Sequence, residues 1–462
     1  MRPKHIAYCI WTIIALLGVV CYFVPDNGWT IGKWNLRFPT LAEALDIRVT
    51  EKSLEVREDS LEVRVDSLEV RVDSLEVVEK SFEMVGEVTP VIVDTPVSIP
   101  TNHLTAFYQA LDSADSMPVR VVHYGDSQIE EDRITNILRE RWQQQYGGGG
   151  VGLIPLHQTI PTRSIRQWLS IDGTVQTTQG GPKRYLVYGP RSMRLNDNDY
   201  GVMGQVAVMD STLVTGSEDM VLNVEPISRK LQSHNYFNRV RVITDSVTGY
   251  IIVKDTSYLI LPSHLIALPD STTQCELHLQ GKGNVYGISL ETATGVIVDN
   301  IPMRGCSGNI FTRIDSTSLS NFYRETNTRL IILQFGGNMI PQTENTSTIV
   351  GYVRTTLRQQ VRYIRACAPQ ASILFIGPSD MSTNIDGKMT TYPLVPYMDQ
   401  QLKKMAREEN IAYWSMYDAM GGFESMVTWH DKGLAGSDYV HFTRTGANNI
   451  GKKLYNWIME QK

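Results

Sequence analysis

A serine hydroxyl becomes a nucleophile only when a base takes its proton. A histidine held by a carboxylate suits that task near neutral pH. Two distant segments of this chain carry those groups: His123-Tyr-Gly-Asp-Ser-Gln128 and Ser437-Asp-Tyr-Val-His441. Ser127 is the candidate nucleophile and His441 the candidate base. Asp438, three residues earlier, is the candidate orienting carboxylate. Each has a plainer reading when taken alone. Ser127 could be a helix N-cap, and a histidine before a last helix is commonly a surface residue. His430, in Trp429-His-Asp431, is a rival base with no comparable motif around it.

Acyl transfer also needs donors aimed at the oxygen that becomes negative. Two glycine-rich segments supply candidates, Gly305-Cys-Ser-Gly-Asn309 and Gly336-Gly-Asn-Met339. The backbone N–H of Gly308 and the side-chain amide of Asn338 are of the right type, as is the N–H of Ser127. The plainer reading is that these glycines make tight turns at strand ends. No cofactor motif and no metal-ligand spacing appear, and Cys275, Cys306 and Cys367 match no zinc pattern.

The elements around these residues alternate. Val119–Tyr124 reads as a strand, and Glu130–Tyr146 as an amphipathic helix ended by Gly147 to Gly150. That helix would bring partial positive charge to Ser127. Strands are expected at Leu330–Phe335, Ser372–Ile376 and Ile411–Ser415, and helices over 347–366, 396–409 and Thr443–Trp457. This alternation predicts a parallel sheet covered by helices on both faces, whose carboxyl edge is where ligands bind. Residues 165–295 break the rhythm with short alternating runs such as Tyr250–Asp255 and Gln274–Leu279, and read as an all-β insertion, a sandwich.

Together the four blocks resemble the SGNH/GDSL hydrolase superfamily, with Ser127, Gly308, Asn338 and His441 as its hallmark residues in order. The likeness covers residues 101–165 and 296–462. It implies a flavodoxin-like three-layer hydrolase domain split by the β insertion at 166–295. Gln128 departs from the leucine of the family name, and Met339 stands where many members have aspartate. The layout is similar to bacterial peptidoglycan O-acetylesterases, which carry a carbohydrate-binding-module-like domain at the same place. The resemblance therefore implies a Ser-His-Asp esterase acting on an acetylated glycan without a metal. An acyltransferase, a lipase or thioesterase, and a non-catalytic glycan-binding protein are the alternatives.

The rest of the chain bears on location. Residues 5–24 form an uncharged apolar run after Arg2 and Lys4, long enough to span a bilayer. Residues 1–30 are thus expected to be a transmembrane anchor with the remainder outside the cytoplasm, on the periplasmic side of an inner membrane. A cleaved signal peptide is the competing reading. Leu54, Leu61, Leu68, Leu75 and Phe82 recur every seven residues, with Val65 and Val72 between them. The pattern fits a dimeric coiled coil, or a loosely ordered spacer. With the proline-rich stretch that follows, residues 31–100 form a stalk. A net charge of −6 gives no reason to expect nucleic-acid binding.

Overall fold

The computed structural model describes residues 29–31, 34–36 and 101–462, except 172–173, 176–180, 210–219, 228–231, 263 and 461. The apolar run at 5–24 and the heptads lie outside the described residues. Among the described residues no helix is long and apolar enough to cross a membrane. In the N-terminal unit, residues 1–94, Trp29–Ile31 pairs antiparallel with Trp34–Leu36, a pairing the sequence did not signal.

The second unit, residues 95–462, contains the α/β layer structure. Its five parallel strands are β1 (Pro118–Gly125), β2 (Gly295–Pro302), β3 (Thr328–Gln334), β4 (Ser372–Ile376) and β5 (Ala412–Trp414). They lie in the order β2-β1-β3-β4-β5. Both faces are covered, so the strands read as near-continuous apolar runs. Val122, Tyr124, Ile331, Leu333 and Phe375 face one core, with α3 (Ser316–Glu325), α4 (Arg358–Cys367) and α5 (Val395–Glu408). Val119, Val121, Leu330, Ile332 and Leu374 face the other, with α1 (Thr105–Leu111), α2 (Thr135–Tyr146) and α6 (Arg444–Met459).

The stretch between β1 and β2 in sequence builds two six-stranded antiparallel sheets. One contains Phe237–Thr244 and Gly283–Glu291, and the other Thr248–Val253, Cys275–Gln280 and Met220–Pro226. Val240, Val242, Ile288, Ile251, Leu277 and Leu279 fill the core they share. Gly152–Ile154, ahead of the stretch the sequence marks as β-rich, pairs with Gly283–Glu291.

A buried charge cluster ties the sandwich to the parallel sheet. Arg120 on β1, with no exposed surface, donates to Asp299 on β2 at 2.7 Å. It also donates to Ser289 at 3.1 Å and to Glu291, both on the sandwich strand Gly283–Glu291. Asp299 accepts the backbone N–H of Leu153 at 2.9 Å as well. Removing one member of such a cluster leaves the others charged and unpaired in a dry interior. Arg120→Ala is therefore expected to lower the unfolding free energy by about 3–5 kcal/mol in chemical denaturation. A loss no larger than that of an ordinary surface change, about 0.5 kcal/mol, would show that the cluster does not hold the layers together.

Candidate active site

Ser127 sits at the end of β1, where the chain turns through the short 3-10 segment Ser127–Asp132. The residue that caps this turn is Asp126, whose Oδ1 accepts the backbone N–H of Gln128 at 3.0 Å. The N-cap reading of Ser127 therefore does not hold, and its hydroxyl is left to another partner. That partner is His441: Ser127 Oγ lies 2.8 Å from His441 Nε2, across 314 positions of sequence.

The other ring nitrogen of His441, Nδ1, lies 2.7 Å from Asp438 Oδ2. Asp438 Oδ1 accepts the backbone N–H groups of Val440 and His441, both at 3.0 Å. Partial burial works to raise the Asp438 pKa, but the imidazole and the two backbone N–H groups outweigh it. The carboxyl is held below its ordinary value and stays ionised. The loop presenting His441 is closed on itself: Gly436 N–H donates to the His441 carbonyl at 2.7 Å, and Thr443 N–H to the Leu434 carbonyl at 3.0 Å. Thr443 then caps α6 through its side chain.

The proposed oxyanion donors meet around Cys306. Gly308 N–H donates to Cys306 Sγ at 3.3 Å. Asn338 Nδ2 donates to the Cys306 carbonyl at 3.2 Å and to Asp126 Oδ2 at 3.1 Å. Gly308 has φ +89°, and a Cβ there would lie 2.8 Å from the Phe335 side chain, so only glycine fits. Ser127, Asn338 and His441 line one pocket of about 100 Å³ with Phe335, Met381 and Met416.

Some expectations need correction. The helix predicted from Glu130 begins only at Thr135. Glu131 and Asp132 take left-handed φ values of 58° and 63° and break it. A broken 3-10 turn carries little macrodipole, so the positive helix end expected beside Ser127 is not what the fold provides. His430 is not at the serine; its ring stacks on Tyr439 at 4.1 Å and its Nδ1 lies 3.3 Å from Asp431. Met339 packs against the apolar core rather than replacing a carboxylate's contacts. His123 is buried with both ring nitrogens bonded, to Gln334 at 3.2 Å and Thr135 at 2.9 Å, and burial pushes its pKa down to about 3. Among the described residues no cluster of His, Cys, Asp or Glu is arranged to hold a metal ion.

Two positioning residues were not foreseen. Gln128 Nε2 donates to the Val440 carbonyl at 2.7 Å and to Ser379 Oγ at 3.1 Å, which pins the histidine loop to the serine turn. Tyr352, in the π-helical turn Tyr352–Leu357, donates its hydroxyl to the Ser307 carbonyl and fixes the Cys306–Gly308 segment. The identity of Gln128 was visible in sequence, but its partner lies 312 positions away.

Gln128→Leu leaves the Val440 carbonyl without its donor and frees the imidazole. An effect on kcat of about 10- to 100-fold with KM nearly unchanged is expected from such a misplacement. An unaltered kcat would remove Gln128 from the positioning role. Asp126 supplies a pH test. Burial outweighs its hydrogen bond from Gln128 and raises its pKa from 3.8 to about 6. The stability this contributes is complete below pH 3.8 and is lost as pH rises through about 6. Melting temperatures of Asp126→Asn, taken relative to wild type, should therefore rise between about pH 4 and about pH 8. A flat difference would mean that the carboxyl is not raised.

Residues 270–448 match the GDSL-like Lipase/Acylhydrolase family, a span that holds Gly308, Asn338, Asp438 and His441. Curated proteins give no match. Among solved structures, a peptidoglycan O-acetylesterase aligns at 20% identity and TM-score 0.60, covering 78% of this chain and 95% of that one. An acetyl xylan esterase aligns at 11% identity and TM-score 0.25, covering 36% of this chain and 82% of its own. The periplasmic domain of a lipopolysaccharide acetyltransferase from Salmonella ser. Paratyphi A aligns at 15% identity and TM-score 0.25, covering 36% and 72%. The likeness to the first is one of fold. The family match spans three of the four sequence blocks, the Ser127 block lying ahead of it, and the chain's fold resembles that of a peptidoglycan O-acetylesterase.

Proposed function

We propose that the protein is a serine esterase that removes O-acetyl groups from a cell-envelope glycan, with peptidoglycan as the substrate class. The observation that carries this reading is the Ser127 hydroxyl 2.8 Å from an imidazole whose other nitrogen lies 2.7 Å from the Asp438 carboxylate. That arrangement supports acyl transfer through a covalent intermediate.

In this mechanism His441 Nε2 takes the Ser127 proton as Oγ attacks the acetyl carbonyl. Asp438 holds the ring and stabilises its charged form. The Ser127 and Gly308 N–H groups and the Asn338 amide receive the oxyanion. To do so, Gly308 exchanges the Cys306 thiol for a charged oxygen, and Asn338 exchanges the Cys306 carbonyl. Sulfur is a weak acceptor, while a bond to an oxyanion is roughly twice as strong as a neutral one, so the exchange is favourable. The C–O bond to the sugar breaks as His441 returns the proton to the sugar oxygen. Water then attacks the acetyl-serine with His441 again as base, which releases acetate and restores the hydroxyl.

The pocket supports a short acyl group. Phe335, Met381 and Met416, all buried, wall a space of about 100 Å³, which favours acetyl over a long chain. The apolar run at 5–24 would hold the enzyme on the outer side of the cytoplasmic membrane, where peptidoglycan lies, and the heptad stalk would space it, as a dimer, from the surface.

Ser127→Ala should keep its fold, lose fluorophosphonate labelling and release acetate from O-acetylated peptidoglycan at least about 10³-fold more slowly. Near-wild-type turnover in that variant would remove the nucleophile. Release of long-chain acyl groups with no acetate from peptidoglycan or xylan would remove the substrate class.

A further inference from the structure

A second and larger cavity lies beside the serine turn. It has a volume of about 470 Å³, within the range of ligand clefts, and its walls come from both layers of the molecule. Glu130, Asp132 and Arg304 line it from the parallel-sheet side, and Arg184, Tyr188 and Gln205 from the sandwich side. Leu153, Leu186 and Met203 give it apolar surface. It is separate from the pocket that holds Ser127 and His441.

The charges of the cleft are already arranged. Arg304 grips Glu130 with two bonds, 2.7 and 2.6 Å. Asp132, 2% exposed, takes Arg139 and Ser164 on Oδ2, while its Oδ1 has no hydrogen-bond partner. Arg184 reaches Thr159 at 3.1 Å and the His157 carbonyl at 3.5 Å, both through Nη1. Acidic groups that are paired, an arginine bonded to neutral oxygens, a phenol, an amide and an apolar floor together suit a neutral ring rich in hydroxyls. Such a ring offers both an apolar face and many donors and acceptors.

The cleft is also close to the chemistry. Glu130 is three residues from Ser127, a span of at most about 11 Å of chain. Its negative charge contributes to the upward pKa shifts of Asp126 and Tyr188, both set mainly by burial. Residues of one turn thus line both cavities, Ser127 and Gln128 the smaller and Glu130 to Asp132 the larger.

We propose that this cleft is a carbohydrate subsite, which holds a sugar unit neighbouring the acetylated one and so gives the sandwich its part in substrate binding. The proposal rests on the esterase reading for its ligand class, but its test does not depend on hydrolysis. Binding of N-acetylchitotetraose and of xylotetraose to the wild-type protein is measured by calorimetry, and then to Arg184→Ala and Tyr188→Ala. One of the two oligosaccharides should bind, with affinity at least about tenfold weaker in the variants. The same variants should hydrolyse a small chromogenic acetate ester within about twofold of wild type, while KM for the O-acetylated glycan rises about tenfold or more. If Tyr188→Ala does not fold, Arg184→Ala carries the comparison, since its side chain is only partly buried. Equal binding by variants and wild type, or no binding of either oligosaccharide, overturns the proposal. Binding of xylotetraose alone keeps the subsite and changes the substrate class. Failure of the small ester with glycan binding intact sinks the esterase reading and not the subsite.

Discussion

The site depends on a reversal in strand order. Going outward from β1, the sheet runs one way to β2 and the other way to β3, β4 and β5. The connections leaving the carboxyl ends of β1 and β3 therefore part company and leave a crevice between them. The serine turn leaves β1, the Asn338 turn leaves β3, and the Cys306–Gly308 segment leaves β2. Three of the four blocks converge because a parallel sheet delivers all its strand ends to one edge. Any fold that broke the β2-β1-β3 order would scatter them.

The fourth block comes by a different route. His441 rides on a loop ahead of α6, and no sheet register fixes it. Side chains and backbone close the gap instead. Gln128 holds the Val440 carbonyl, and Ser382 N–H holds the Tyr439 carbonyl at 3.0 Å. Asp438 folds back onto the loop's own N–H groups while it bonds the ring. One carboxylate thus both shapes the loop and holds the imidazole, so a short Asp-x-x-His segment presents both groups where two separate elements would otherwise be needed.

Sequence showed most where burial is two-sided and local. Val119–Tyr124, Leu330–Phe335 and Ser372–Ile376 each stand out as apolar runs because both faces of the sheet are covered. The strand Gly295–Pro302 carried the same signal, but it follows directly on the sandwich strand Gly283–Glu291 and merges with that region's punctuation. The break after Ser127 was hidden for another reason. The 130–146 periodicity is helical, yet Glu131 is held by Arg133 and Arg163, and Asp132 by Arg139 and Ser164. Two of those partners, Arg163 and Ser164, lie 32 positions away, so local periodicity cannot signal the left-handed backbone at these residues. The motif residues were legible as types; Gln128 and Tyr352 were not legible as positioning groups because their roles exist only as contacts.

The hydrogen bonds of the proposed oxyanion donors follow from the same economy. A buried N–H left without an acceptor is costly, so these donors need partners within the protein. Cys306 supplies it, with a thiol for Gly308 and a carbonyl for Asn338. Burial pushes that thiol up to about 11, so it remains a neutral and weak acceptor. A carboxylate in place of the Cys306 thiol would compete with the proposed oxyanion for the Gly308 N–H, whereas Asn338, with two amide hydrogens, also bonds Asp126. A purely apolar side chain would leave the Gly308 N–H without that partner. In the proposed mechanism a buried cysteine would meet both requirements: it gives the Gly308 N–H a partner and would yield it once negative charge develops on the carbonyl oxygen.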